Sequence, residues 1–140
     1  MLLLLGLGLL TLTAQTPKLK SLEQTLRESR WQKRVLLVAA PNATQVDFRQ
    51  QQALLAAAKT QLNNRDFMVV NLFYDQLTAA DQQFLAQKTS IRPPTFAVVL
   101  IGKDGDVKEK STQVITPAAL FSIVDKMPMR RKEIQRPTIK

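Results

Sequence analysis

Residues 91–108 read Ile91-Arg92-Pro93-Pro94-Thr95-Phe96-Ala97-Val98-Val99-Leu100-Ile101-Gly102-Lys103-Asp104-Gly105-Asp106-Val107-Lys108. Pro93-Pro94 stops any helix, because proline lacks the backbone N–H and its ring fixes φ. Thr95 to Ile101 is a continuous apolar run, β-branched in part, as in a strand buried on both faces. Asp104-Gly105 follows. Glycine accepts positive φ, so Asp-Gly between extended segments predicts a tight hairpin. Val107 to Lys110 then returns antiparallel as a polar edge strand, with lysines guarding the edge.

Working outward, Arg34 to Ala40 reads Arg-Val-Leu-Leu-Val-Ala-Ala and is stopped by Pro41-Asn42. It predicts another buried strand. Thr44 to Leu62 is rich in Gln, Ala and Leu, and Phe48, Leu55 and Leu62 recur at heptad spacing with Ala58 between. One helix with a single inward stripe is expected there, closed by Asn63-Asn64. Phe67 to Tyr74 is a second strand of the same buried character. Thr78 caps a helix in capping-box style with Asp81, presenting Leu77, Phe84 and Leu85. Towards the C-terminus, Thr116-Pro117 is an N-cap with proline at the first helical position. Leu120, Phe121, Val124 and Met127 line that helix, which is expected to end at Pro128. The order is β-α-β-α-β-β-α. The first two strands, joined by a helix, should be parallel; the last two form a hairpin. The fold class is α/β, a mixed four-stranded sheet with helices on both faces.

At 140 residues and 45% apolar content the chain builds one domain with a real core. It contains no cysteine and no histidine. Disulfides, thiol redox chemistry, Cys/His zinc sites and His- or Cys-containing triads are therefore excluded, and no cofactor or metal is expected. Lys plus Arg is 20 against 11 acids, a net charge of +9. The excess is uneven: +4 from residues 15–34, 0 from 35–125 and +5 from 126–140. A neutral body carries charged ends, which favours anionic partners.

Leu2 to Leu12 has the length of a signal-peptide apolar region and is about half the ~20 residues that a membrane-spanning helix needs. Thr13-Ala14 supplies small residues for cleavage, although no Lys or Arg precedes the run and Leu12 is bulky. The absence of a cysteine after it excludes a lipoprotein-type anchor. The organisation read from these signals is residues 1–14 signal peptide, 15–33 basic N-terminal flank, 34–128 folded domain and 129–140 basic C-terminal tail. The chain is expected to be exported, with no transmembrane segment after cleavage.

The element order and the segment Ile91 to Leu100 with Lys103-Asp104-Gly105 resemble the thioredoxin fold. There an Ile-Arg loop leads to a cis-proline, a hydrophobic strand and a glycine-containing hairpin. By that resemblance Pro94 is the cis-proline. Val98 to Lys108, and Asp125-Lys126-Met127-Pro128-Met129-Arg130-Arg131-Lys132-Glu133, also resemble a family of unknown function often called the DUDES domain. It is described as a peroxiredoxin-like branch of the thioredoxin fold. Its bacterial members are short and mostly exported, and its animal members are domains of secreted matrix and sushi-repeat proteins. The chain looks like a cysteine-free, bacterial-type member.

The departure from the redox relatives follows the first strand. Thioredoxins carry Cys-x-x-Cys there and peroxiredoxins Thr-x-x-Cys; this chain has Pro41-Asn42-Ala43-Thr44-Gln45-Val46-Asp47. A carboxylate cannot exchange a disulfide or reduce a peroxide, since both need a thiolate. Pro41, Thr44, Asp47 and Pro94 thus mark a vestigial active-site face. Thr44 and Asp47 read most simply as a helix N-cap and a first-turn acid.

Asp104 and Asp106 lack the further ligands of a calcium loop and read as a solvated hairpin, with Lys103 and Lys108 framing it as surface charge. Trp31 reads as a hydrophobic plug on the sheet edge. Arg130-Arg131-Lys132, extended by Arg136 and Lys140, reads either as a helix C-cap with a solubilising tail or as an oxyanion patch. Lys18, Lys20, Arg27, Arg30, Lys33 and Arg34 would join it if the termini meet. Nucleic acid is disfavoured, because one Trp and one Tyr make no stacking strip. The leading expectation is a non-enzymatic binding module whose basic surface meets an anionic polymer or headgroup. The alternative is a divergent peroxiredoxin-like enzyme using Cys-independent chemistry near Thr44, Asp47 and Pro94.

Overall fold

The computed structural model describes residues 19–136. The expected signal peptide, Lys18 and Lys140 lie outside the described residues. The elements are α1 (Leu22–Ser29), β1 (Arg34–Ala40), α2 (Val46–Ala57), α3 (Lys59–Asn64), β2 (Phe67–Phe73), α4 (Ala79–Thr89), β3 (Ala97–Ile101), β4 (Val107–Ser111), α5 (Pro117–Asp125) and α6 (Pro128–Gln135).

The four strands form one sheet in the order β2-β1-β3-β4. β1 runs parallel to β2 and antiparallel to β3, and β3 and β4 form the hairpin. β1 lies between β2 and β3 and is buried at every position. Side chains alternate across a strand, so its two sets enter two different cores. Leu36, Val38 and Ala40 join Phe48, Leu55, Leu62, Leu120, Phe121 and Val124 under α2, α3 and α5. Val35, Leu37 and Ala39 join Leu22, Leu72, Leu85 and Ile91 under α1 and α4. Both faces of the sheet are thus covered by helices, as the continuous apolar strands require.

Three local expectations hold at the level of single atoms. Thr78 Oγ1 accepts from Asp81 N at 3.1 Å and Thr116 Oγ1 from Ala119 N at 3.2 Å, with Pro117 opening α5. Gly105 takes φ 88° in the hairpin. The Asp81 carboxylate works outside the cap: Oδ1 accepts from the backbone N of Leu22, tying α4 to the start of α1.

The structure differs from the sequence reading at the flanks. Residues 22–29, expected within a basic flank, form α1, with Ser21 as N-cap and Leu22 buried in the core. Residues 129–135, expected as tail, belong to α6, which Pro128 opens instead of ending α5. The helix expected over Thr44 to Leu62 steps at Ala58 into α2 and α3. No Gly or Pro marks that step. A heptad stripe drifts by about 20° per repeat on a straight helix, and the step falls inside the stripe, with Leu62 still buried. Trp31 is no plug: it sits in the turn after α1 at φ 68° and is 62% exposed. The Arg30 guanidinium lies 5.5 Å from its ring centre.

Candidate functional site

Because β1 and β2 are parallel and β3 opposes them, Pro41, the turn after β2 and Pro94 share one end of the sheet. The Pro93–Pro94 bond is cis, as the thioredoxin resemblance implies. Thr44 is not the helix N-cap: its hydroxyl donates to Asn42 Oδ1 at 2.8 Å. The cap is Gln45, whose Oε1 accepts from Phe48 N at 2.8 Å. Glutamine is a weak cap by preference, so the sequence favours its hydroxyl neighbour instead. Asp47 is the first-turn acid as expected, and accepts from Gln45 Nε2 at 3.5 Å. Tyr74 donates its hydroxyl to Thr95 O at 2.8 Å, joining the end of β2 to the residue after Pro94. Burial pushes the Tyr74 phenol up to about 12.

The opposite end holds a network of charges. Arg34, at the start of β1, is 1% exposed. Its Nη1 and Nη2 each donate to the Glu133 carboxylate at 3.2 Å, and Nη1 also donates to Arg65 O at 2.9 Å. Lys103, just after β3, is 8% exposed and donates to Glu133 Oε1 at 2.6 Å and Asp66 Oδ2 at 2.8 Å. Arg130 donates to Asn64 O and Glu133 Oε2. Arg65 grips Asp125 through two 2.9 Å hydrogen bonds and stacks 4.0 Å from the centre of the Phe121 ring. Burial works against the Glu133 charge, but hydrogen bonds from Lys103 and Arg34, with their positive charges, outweigh it and hold its carboxyl at about 2. A buried charge is tolerable only when paired in this way.

Beside this network lies an open cleft of about 550 Å³. Arg34, Lys103, Lys108 and Lys126 supply its positive charge, and Ile123, Met127, Pro128 and Met129 its apolar wall. Gly102 is also in the lining, where an added Cβ would lie 2.6 Å from Lys108 Cε. The glycine lets the Lys108 stem lie against the backbone while its amine meets Asp104 at 2.6 Å.

The expected basic cluster does not stay together. Arg130 is half-buried in the network, whereas Arg131, Lys132 and Arg136 are exposed and make no ion pair among the described residues. Nor does the cluster cap α5. Arg130 falls in the first turn of α6, the unfavourable end of that helix's dipole for a cation, where Asp125 and Glu133 compensate it. The described parts of the two flanks do meet, since Arg34 reaches Glu133, but the contact neutralises charge instead of pooling it. Lys20 and Arg27 pair with Glu28 and Glu23. Lys103, expected as surface charge, is buried because the turn after β3 directs it at Asp66 and Glu133. Sequence reasoning missed Glu133, although it is the one acid among residues 126–140. A lone carboxylate in a basic segment is the signal that could have found it.

The two sequence blocks quoted for the family resemblance both line this cleft: Gly102-Lys103-Asp104 with Lys108 from one, Lys126-Met127-Pro128-Met129 from the other. The profile of the family described as a domain of unknown function (DUF4174) matches residues 25–133, and the chain belongs to that family. Over 117 residues the chain is 29% identical to the sushi repeat-containing protein SRPX of Rattus norvegicus, covering 73% of this chain and 24% of that protein. It is 26% identical over 141 residues to coiled-coil domain-containing protein 80 of Danio rerio, covering 84% of this chain and 16% of that protein. The chain therefore spans a quarter or less of these relatives. Among solved structures, reduced 2-Cys peroxiredoxin of Plasmodium vivax superposes with TM-score 0.58 at 14% identity, covering 76% of this chain and 84% of that one. Mitochondrial thioredoxin 3 of Saccharomyces cerevisiae superposes with TM-score 0.53 at 17% identity, covering 78% and 92%. The fold is thioredoxin-like. Among the described residues no helix is long and apolar enough to cross a membrane.

Proposed function

We propose that this member of the DUF4174 family is an exported, non-enzymatic binding module that meets anionic cell-surface or matrix polymers through the outer face of α6. The observation that carries the reading is the division of the basic residues. Arg130 is consumed by Asp125 and Glu133, whereas Arg131 and Lys132 on α6 and Arg136 at its C-cap stay exposed with no acid partner among the described residues. Arginine grips sulfate, phosphate and carboxylate oxygens in pairs, so this face suits a polymer with repeated oxyanions. Export rests on the apolar run Leu2 to Leu12. The competing reading, a Cys-independent enzyme at Thr44, Asp47 and Pro94, draws less support. The Thr44 hydroxyl is engaged by Asn42, and the Tyr74 hydroxyl by Thr95 O.

The test is retention on an immobilised heparin-type polyanion across a salt series. The chain should elute at raised salt, because exposed charges are screened as ionic strength grows. Arg131→Ala/Lys132→Ala/Arg136→Ala should elute markedly earlier with its Tm unchanged. Equal elution of variant and parent would overturn the proposal. Arg130→Ala is a poor reporter, since it breaks the network that holds α6.

A further inference from the structure

We propose that the chain forms a two-fold dimer by antiparallel pairing of β2 with β2 of a second copy, which joins the two sheets edge to edge. The two edges of the sheet are unlike. β4 carries Lys108, Glu109 and Lys110, and its register against β3 is irregular at Leu100/Ile101. Charge and irregularity are common guards of a sheet edge. β2, at the other edge, reads Phe67-Met68-Val69-Val70-Asn71-Leu72-Phe73, with no charge, no proline and an unbroken register against β1. Met68, Val69, Val70 and Phe73 are only half-buried and Asn71 is exposed. A flat apolar edge of this kind is a template for another strand.

Arg34 N donates to Asp66 O at 2.9 Å and Tyr74 N to Ala40 O at 3.0 Å, so the even-numbered residues of β2 turn their backbone groups to β1. Phe67, Val69, Asn71 and Phe73 turn theirs outward. Among the described residues only Phe73 O of these outward groups is engaged, by Gln76 N and Leu77 N. A second copy fits this edge. Setting Val70 against Val70 places Val69 against Asn71 and Phe67 against Phe73. Outward groups then face outward groups, the strands overlap fully, and no like charges meet. On the side of α2 and α3 a groove lined by Leu55, Lys59, Leu62, Phe67 and Val69 runs beside the edge. Phe73 of the second copy arrives at the Phe67 end of this groove, and its Asp75 follows just beyond. Lys59 and Asp75 are exposed and neither has an ion pair among the described residues, so each copy offers the charge that the other lacks. The pairing consumes both β2 edges and leaves the guarded β4 edges outside, so growth stops at a closed dimer.

Sedimentation of the chain over a dilution series tests this and should show a monomer–dimer equilibrium. Asn71→Pro removes an outward N–H that the monomer does not use. It should sediment as a monomer throughout, with an unchanged circular dichroism spectrum. Asn71→Lys should do the same through charge, should proline disturb the strand. Asp75→Lys should weaken the dimer several-fold, and Lys59→Asp added to it should restore it. The chain has no cysteine, so Val70→Cys reads the register directly. Val70 meets its counterpart in a non-hydrogen-bonded pair, with Cα atoms about 4.5 Å apart, and its cysteine variant should form a disulfide-linked dimer under a mild oxidant. Asn71→Cys lies on a diagonal of about 7–8 Å from its counterpart and should crosslink far less. The Arg131→Ala/Lys132→Ala/Arg136→Ala variant should dimerise as the parent does, which separates this interface from the polyanion face. A monomeric parent at every concentration would overturn the proposal and leave the β2 edge to residues 1–18 or to a different protein. A dimer that survives both Asn71 substitutions, or equal crosslinking of Val70→Cys and Asn71→Cys, would overturn it as well.

Discussion

At one end of the sheet Thr44, Gln45 and Tyr74 direct their polar atoms at nearby loop and helix backbone or at Asn42. At the other end Arg34, Lys103 and Glu133 direct theirs at one another, across a separation of 99 residues between Arg34 and Glu133. The first end is where thioredoxins and peroxiredoxins, which share the fold, carry their cysteines. Here it is closed by hydrogen bonds of short reach and modest energy. The second end joins the start of β1 to the last helix through buried charge. One end of the scaffold is thus held by local hydrogen bonds, while long-range energetic coupling concentrates at the other. Local caps are replaceable one at a time, but a buried charged network is not.

The largest expected effect breaks the charged end. Glu133→Ala leaves Arg34 and Lys103 facing a cavity without their shared carboxylate. It should cost about 3–5 kcal/mol in urea unfolding, the usual penalty for stripping one partner from a buried pair. Arg34→Met with Glu133→Leu removes one stranded cation along with the carboxylate and should recover part of that loss, since Lys103 then keeps only Asp66. The pH profile sharpens the same point. The Glu133 carboxyl titrates at about 2 in the fold and near 4.5 when unfolded. Its contribution is therefore complete above the unfolded value and lost as pH falls from about 4.5 towards 2. An acid titration of the parent should show this decline in stability, and Glu133→Gln should flatten it.

How much of this contrast is legible in the sequence follows from the range of the interactions. Strands, the hairpin at Asp104-Gly105 and the caps at Thr78 and Thr116 are set by neighbours a few residues away, and their residue types announce them. The cis bond at Pro94 came from resemblance, since base rates disfavour it. The Ala58 step carries no local signal. Gln51 sits inside a low-complexity run, Gln50-Gln51-Gln52, yet is buried and exchanges two hydrogen bonds with the backbone of Ile115. Only the tertiary position of the loop before α5 makes that glutamine different from its neighbours. The network is hidden for the same reason. Lys103 and Arg130 look like ordinary surface charge until the fold brings Asp66, Asp125 and Glu133 beside them.

A smaller effect probes the first end. Tyr74→Phe removes the hydroxyl that Thr95 O accepts and should cost about 0.5–1.5 kcal/mol, the ordinary worth of one hydrogen bond. The phenol also gives this end an alkaline counterpart to the acid response of Glu133. In the fold it ionises at about 12, against about 10 when unfolded. Between those values the unfolded chain has lost a proton that the folded chain keeps, so stability falls as pH rises from about 10 towards 12. Ultraviolet titration should find the single tyrosine protonated at pH 11, and Tyr74→Phe should remove this limb of the profile while leaving the acid limb intact.

The smallest expected effect is the most informative about the first end. Asp47 occupies the position where peroxiredoxin spacing would place a cysteine. If it does no more than favour the α2 dipole from the first turn, Asp47→Ala should lower stability by about 0.3–1 kcal/mol, with no other consequence. Its side-chain contact is a long 3.5 Å hydrogen bond from Gln45, which would add little. Asp47→Asn separates charge from shape: it keeps an acceptor near Gln45 and removes only the dipole interaction, so it should match the alanine variant within about 0.5 kcal/mol at low salt. High salt should shrink the difference from the parent, since the effect is electrostatic and Asp47 is only half-buried. A loss well beyond 1 kcal/mol, or one that salt leaves unchanged, would mean that Asp47 holds something more than a helix end. The contrast between a locally capped end and a charge-coupled end would then fail at the position where peroxiredoxin spacing places a cysteine.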